Sequence, residues 1–162
     1  MTTGRLDPEV ARAFGALGYV GLASGQAFDL RRDAPYPPYD RLTVEVPVYL
    51  DGDVAARVKV RAREIMVAFD LIEQLLTDLP EGSIRAPWPA PDAGAEGLGL
   101  VEGFRGECLA YVRFGAGGGI ARYFPRDPSW TTWPVLEKLI RDNIVPDFPV
   151  CNKSVNVSYS GH

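Results

Sequence analysis

Residues 53–79 most restrict what this chain can fold into. Apolar side chains fall at Val54, Val58, Ile65, Phe69, Ile72, Leu76 and Leu79. Their spacings of 4, 7, 4, 3, 4 and 3 draw one stripe along a helix. Pro80-Glu81-Gly82 stops it. Such a helix is about 40 Å long. Burying seven such side chains would contribute roughly 10–20 kcal/mol gross, but only against a surface of equal length. The rest of the sequence offers one other clear helix, 134–143, of about ten residues. The stripe therefore asks for a partner surface that the remaining sequence does not offer.

The other segments are shorter. Asp7 is a candidate N-cap for a brief helix over 7–16, with Pro8 suited to its first position. Gly18–Asp40 is rich in glycine and then in proline, and reads as ordered loop. Residues 43–50 (TVEVPVYL) alternate with period 2, which predicts a half-buried strand, demoted to an edge by Pro47. Residues 84–97 read as a linker. Three strands follow, over 98–102, 107–114 and 119–124, the last two joined by the hairpin Gly115–Gly118. In helix 134–143, Pro134 marks the start and Asn143 the end, and the tail 144–162 shows no period. The expected fold class is α+β: one long helix from a helical bundle, a small antiparallel sheet and irregular segments. One domain is expected over 1–162, with 84–97 as its internal linker.

Composition excludes several chemistries. The only histidine is His162, the last residue, a poor place to hold a general base. With only two cysteines, Cys108 and Cys151, it cannot supply a structural zinc site. A net charge of −4 argues against a nucleic-acid binder. No run is apolar enough to span a membrane and no secretory signal is evident, so the expectation is a cytoplasmic chain with reduced thiols.

A few constellations invite a functional reading. Gly115–Gly119 lacks the lysine and the following helix of a phosphate loop, and reads as a turn. Arg31, Arg32 and Arg41, with Tyr36 and Tyr39, fit an anion or partner site and a solvated loop equally well. Cys108 reads as a small strand residue, and Cys151 is a thiol with no evident base. Arg105-Gly106-Glu107 reads either as a turn with a surface ion pair or as a fixed arginine presented to a ligand. The planar donor fork of arginine suits the second task.

Several blocks together resemble the large catalytic subunit of membrane-linked [NiFe] hydrogenases and its relative, the 49-kDa subunit of respiratory NADH dehydrogenase (complex I). They are LASGQAFDLRRDAPYPPYD (22–40), VPVYLDGDVAARVKVRAREI (46–65), LPEG (79–82), EGFRGE (102–107), RDPSW (126–130) and NIVPDFPVCNKSVNVSYSG (143–161). The likeness is to the C-terminal half of that large subunit, in the formate-hydrogenlyase-type branch. It implies electron transfer within a multisubunit redox complex, contact with an iron–sulfur subunit, and either a Ni–Fe centre or a quinone cavity. On this resemblance Arg105 and Glu107 line the old metal-site or quinone-site region, and Ser154 and Ser158 belong to the tail that closes it. Helix 53–79 then belongs to the family's bundle.

The departures are as informative. The family's nickel-ligating Cys-x-x-Cys falls on Ser158 and Gly161, and a hydroxyl and a hydrogen cannot replace two soft thiolates. No metal, and no cofactor held by this chain alone, is therefore expected. The family's N-terminal portion, with its first cysteine pair or quinone-contacting residues, has no counterpart here, so the expectation is a fragment or a half-length relative without autonomous catalysis. Membrane contact would be indirect, as a peripheral subunit on the inner face. The alternative is a non-catalytic assembly module that binds a partner, or its own copy, through Phe69, Ile72 and Leu76.

Overall fold

A computed structural model describes residues 3–161. Short helices α1 (Pro8–Ala13), α2 (Gly18–Leu22) and α3 (Leu30–Asp33) lead to the long α4 (Val54–Thr77). A three-stranded sheet follows: β1 (Glu96–Gly103), β2 (Gly106–Phe114) and β3 (Ile120–Arg126). Two helices close the chain, α5 (Ser129–Leu139) and α6 (Phe148–Val155). The sheet is an antiparallel meander in the order β1-β2-β3. This is the α+β class expected, with one long helix and one small sheet.

The core lies around α2, the first half of α4, α5 and α6. Leu6, Tyr19, Val20, Leu22, Ala56, Val60, Val135, Leu139, Cys151 and Val155 pack together there. Asp53 caps α4, its Oδ1 accepting from Ala56 N at 2.7 Å, and Asp7 caps α1, accepting from Glu9 N at 2.8 Å, each satisfying an orphan donor of a first turn.

The stripe chosen from the sequence is not the face that enters this core. Val58, Ile65, Phe69, Ile72, Leu76 and Leu79 are all more than half exposed. The buried face is Ala56, Arg57, Val60, Val67 and Leu71. Helix α4 is apolar on two sides, and the sequence pattern favoured the side with larger residues. The inner side is interrupted by Glu64 and begins beside an arginine, which hid it.

Three further expectations are corrected. Residues 43–50 are extended but pair with no strand. Tyr49 instead donates to Leu22 O at 2.9 Å and accepts from Gly25 N at 2.8 Å, so the segment straps the end of α2. Pro47 is buried and Leu50 exposed, the reverse of the period-2 reading. Helix 134–143 starts five residues earlier, at Ser129, whose N–H donates to Asp127 Oδ1 at 2.8 Å, so Pro134 lies inside α5. Asn143 does close it, its Nδ2 donating to Leu139 O and Arg141 O. The tail read as irregular contains α6, whose Pro149 sits in the first turn, where a missing N–H costs nothing.

Total accessible surface is 10387 Å². A compact monomer of 17.7 kDa would expose about 7,900 Å². The excess of about 2,400 Å² is comparable to one side of a large obligate interface.

Candidate functional site

Phe104 and Arg105 form the two-residue turn between β1 and β2, closed by the pair Gly103–Gly106. The N-terminus of α2 abuts this turn, with Tyr19 N donating to Phe104 O at 3.4 Å. Two glycines permit the approach. A Cβ on Gly18 would stand 2.2 Å from the Arg105 carbonyl carbon, and one on Gly106 would stand 2.5 Å from Leu17 Cβ. Both also have positive φ, +53° and +121°, which side chains rarely adopt.

The turn presents Arg105 to the C-terminal segment. Its Nε donates to Asn156 O and its Nη2 to Asn156 Oδ1 at 3.3 Å. Asn156 is itself left-handed, φ 44°, where α6 ends. The Arg105 guanidinium also lies over the Phe104 ring at 4.6 Å. No carboxylate among the described residues forms an ion pair with Arg105. Two residues beyond Asn156, Ser158 is half-buried. Its N–H donates to Ser129 Oγ at 2.9 Å and its carbonyl accepts from Trp133 Nε1 at 3.2 Å. The fold thus brings EGFRGE and SVNVSYSG together, with Arg105 bridging them.

The other predicted site residues lie elsewhere. Glu107 pairs with Arg126 on β3, a half-buried bridge within the sheet. Ser154 faces the core. Its hydroxyl accepts from Arg57 Nε at 3.0 Å and donates to Cys151 O at 2.6 Å. Phe69, Ile72 and Leu76 stand on the exposed outer face of α4. Arg31 and Arg32 are engaged by Asp29 and Asp33, and Tyr36 Oη accepts from Glu102 N at 3.2 Å.

Sequence reasoning passed over a second cluster beside the turn. Arg31, Arg61, Glu64, Ile65, Ala68, Glu102, Gly103 and Phe104 line a cleft of about 360 Å³. Burial pushes the Glu64 carboxyl up to about 7, with Arg31 opposing the shift. Burial likewise pushes Glu102 up to about 7, against the hydrogen bond it accepts from Leu30 N. Behind the cleft Tyr19 stacks on Phe104, centroids 5.9 Å apart, with the Arg61 guanidinium 5.5 Å from its ring centroid. Its hydroxyl is buried without a hydrogen-bond partner, and burial raises it to about 12. The available signal was Glu64 itself, a carboxylate set at spacings of 4 and 3 between Val60 and Val67.

Residues 1–94 match the family of the respiratory-chain NADH dehydrogenase 49 kDa subunit. The chain belongs to that family. Formate hydrogenlyase subunit 5 of Escherichia coli K12 is 34% identical over 157 residues, spanning 97% of this chain and 28% of that protein. The carbon monoxide-induced hydrogenase of Rhodospirillum rubrum is 32% identical over 143 residues, spanning 88% of this chain and 40% of that protein. A chain of the membrane-bound sulfane sulfur reductase, an archaeal respiratory membrane complex, superposes with a TM-score of 0.84 at 32% identity, covering 95% of this chain and 44% of its own. The chain therefore spans between 28% and 44% of the length of these relatives. Among the described residues, no helix is long and apolar enough to cross a membrane.

The hydrogenase likeness raises the question of nickel, and the residues do not fit it. A Cβ at position 161 would lie 2.7–2.9 Å from the Asp127 side chain, so a thiol could not start there without displacing Asp127. The Ser158 hydroxyl lies 3.5 Å from Ser160 Oγ. Among the described residues, no three His, Cys, Asp or Glu side chains gather at metal-binding distance.

Proposed function

We propose that this chain is the part of a nickel-free redox-complex large subunit in which a hairpin arginine and the C-terminal segment border the redox site. The observation that supports this most directly is the tie from Arg105 to Asn156, which sets the arginine against the segment carrying Ser158. Two of its donors hold that segment, leaving the remaining N–H groups and an unpaired positive charge for a polar or anionic group. A quinone headgroup, or the edge of a neighbouring iron–sulfur subunit, has the chemistry to meet it. Glu107 ties β2 to β3 through Arg126, and Ser154 ties α6 to α4 through Arg57. Contact with a membrane is through other subunits.

The outer face of α4 supports the multisubunit aspect of this reading, because Val58, Ile65, Phe69, Ile72 and Leu76 lack cover there. The same face favours the plainer reading of an assembly module, and activity separates the two. Arg105→Met in the assembled complex should cut electron-transfer turnover at least tenfold while the complex still assembles. Full turnover in that variant would leave the module reading. Hydrogen uptake or quinone reduction by the purified chain alone, or stoichiometric nickel in it, would overturn the proposal.

A further inference from the structure

The segment that Arg105 reaches is also held from its other side, by helix α5. Ser129 opens α5, and its hydroxyl accepts from Ser158 N at 2.9 Å. One turn on, Trp133 Nε1 donates to Ser158 O at 3.2 Å. Positions i and i+4 share a helix face, so one face of α5 grips both backbone polar groups of a single residue. These bonds cross 29 and 25 residues of chain. Ser158 lies in no helix or strand. No ladder satisfies its backbone groups, and the two side chains do so instead.

The grip is itself supported. Ser129 is 1% exposed, and its own N–H donates to Asp127 Oδ1 at 2.8 Å. The Asp127 side chain in turn fills the space beside Gly161, where a Cβ would lie 2.7–2.9 Å from it. The Trp133 ring leans on Tyr159, centroids 5.3 Å apart, and Tyr159 Oη accepts from Asn152 Nδ2 of α6 at 3.2 Å. Between Asn156 and Ser158, Val157 is buried in the core. The β1–β2 turn, α5 and α6 thus hold this segment together. The Ser158 hydroxyl is not so held. Its neighbour, Ser160 Oγ, stands 3.5 Å away, beyond an ordinary hydroxyl bond. A backbone fixed this firmly around a free hydroxyl is the arrangement of a positioned ligand group.

We infer that Ser129 and Trp133 are positioning residues of the redox site: they set Ser158 so that its hydroxyl meets the same polar group as Arg105. The inference rests on the redox-site reading above and adds to it the residues that place Ser158. A misplacement of about 1 Å can cost about 100-fold in rate, so loss of either bond should be visible in the kinetics.

The test uses the assembled complex, isolated through an affinity tag on this chain, with a short-chain quinone as acceptor. Ser129→Ala removes the acceptor for Ser158 N–H. Trp133→Phe removes the donor to Ser158 O and keeps a ring against Tyr159, so it carries the test alone if Ser129→Ala does not assemble. Deuterium exchange in a peptide spanning 156–160 should quicken at least tenfold in Ser129→Ala. In both variants the KM for the quinone should rise at least fivefold. A merely structural defect leaves fewer active complexes and lowers kcat at an unchanged KM. In the Arg105→Met background either substitution should change KM less than twofold further, because all three residues act on one ligand. An unchanged KM in both variants, unchanged exchange in Ser129→Ala, or a KM effect that multiplies in full with that of Arg105→Met overturns the inference. Arg105→Met separates the two levels. If it lowers turnover while the α5 variants keep the wild-type KM, this inference alone fails. If wild type has no turnover, or Arg105→Met keeps all of it, the redox-site reading fails as well.

Discussion

Arg57 is fully buried and ion-pairs with no carboxylate among the described residues, which makes its replacement an informative perturbation of the fold. Its fork spans three acceptors, two of them distant in the chain. Nη2 donates to Gly4 O at 2.8 Å, Nη1 to Gly52 O at 2.8 Å and Nε to Ser154 Oγ at 3.0 Å. It therefore fastens the N-terminal segment and α6 to the start of α4. Burial depresses its pKa from 12.5 to about 10, a cost of about 3 kcal/mol at roughly 1.4 kcal/mol per unit. Three charge-assisted hydrogen bonds at about 1.5–3 kcal/mol each outweigh that cost. Arg57→Met recovers the desolvation cost and some packing but orphans two carbonyls and a hydroxyl. The expected net loss is about 2–4 kcal/mol. Arg57→Lys keeps the charge but cannot fork to three acceptors, and should lose about 2 kcal/mol. The assay is urea unfolding of the purified chain, read as a lower midpoint at constant m. A companion variant, Ser154→Ala, should lose about 1–2 kcal/mol alone and almost nothing further in the Arg57→Met background. If Arg57→Met matches or exceeds wild type, desolvation dominates and the reasoning is wrong.

Three further outcomes follow from the same structure. Glu64 and Glu102 titrate higher folded than unfolded, so the folded state binds more protons between about pH 4.5 and 7 and stability falls as pH rises through that window. Urea midpoints at pH 5.5 and 7.5 should differ by about 1–2 kcal/mol per carboxyl, allowing for partial exposure, and replacing both with Gln should flatten the profile; a profile rising with pH contradicts the burial argument. Phe69→Asp should change the stability of the isolated chain by less than about 0.5 kcal/mol, since its side chain is 61% exposed, while light scattering shows any self-association lost; unfolding would instead mean that the outer stripe is core. Gly18→Ala should cost more than about 2 kcal/mol, because φ is +53° and its Cβ would meet the Arg105 carbonyl, and amide exchange should rise first in the β1–β2 turn; an unchanged turn would break the proposed coupling of α2 to Arg105.

What the sequence made legible, and what it hid, divides along physical lines. Helix α4, the three strands and the Asn143 stop follow from periodicity, turn glycines and a capping amide, all of which act locally. The strand reading of 43–50 failed because alternation records which side chains are apolar, not whether a second strand lies alongside; the nearest backbone partners belong to α2. Helix α6 was missed because two prolines obscured it, although Pro146 precedes it and Pro149 falls in its first turn. Arg105 was found as a turn arginine, but its bond to Asn156 crosses 51 residues of chain. The Glu64–Glu102 cleft was invisible for the same reason, since its two carboxyls come from a helix and a strand that only the fold unites.

The two apolar sides of α4 tie these gains and misses to function. A helix that needed only this chain's core would be polar on the side opposite Ala56, Val60, Val67 and Leu71. Instead that outer side carries Ile65, Phe69, Ile72 and Leu76, the larger residues. Each such residue left in water forgoes the roughly 1.5–3 kcal/mol that full burial would give, and a contiguous set of them marks an interaction surface. On the redox-subunit reading, α4 then has two neighbours at once. One is the core holding Arg57. The other would be an apolar surface of the assembled complex, laid along Ile65, Phe69, Ile72 and Leu76.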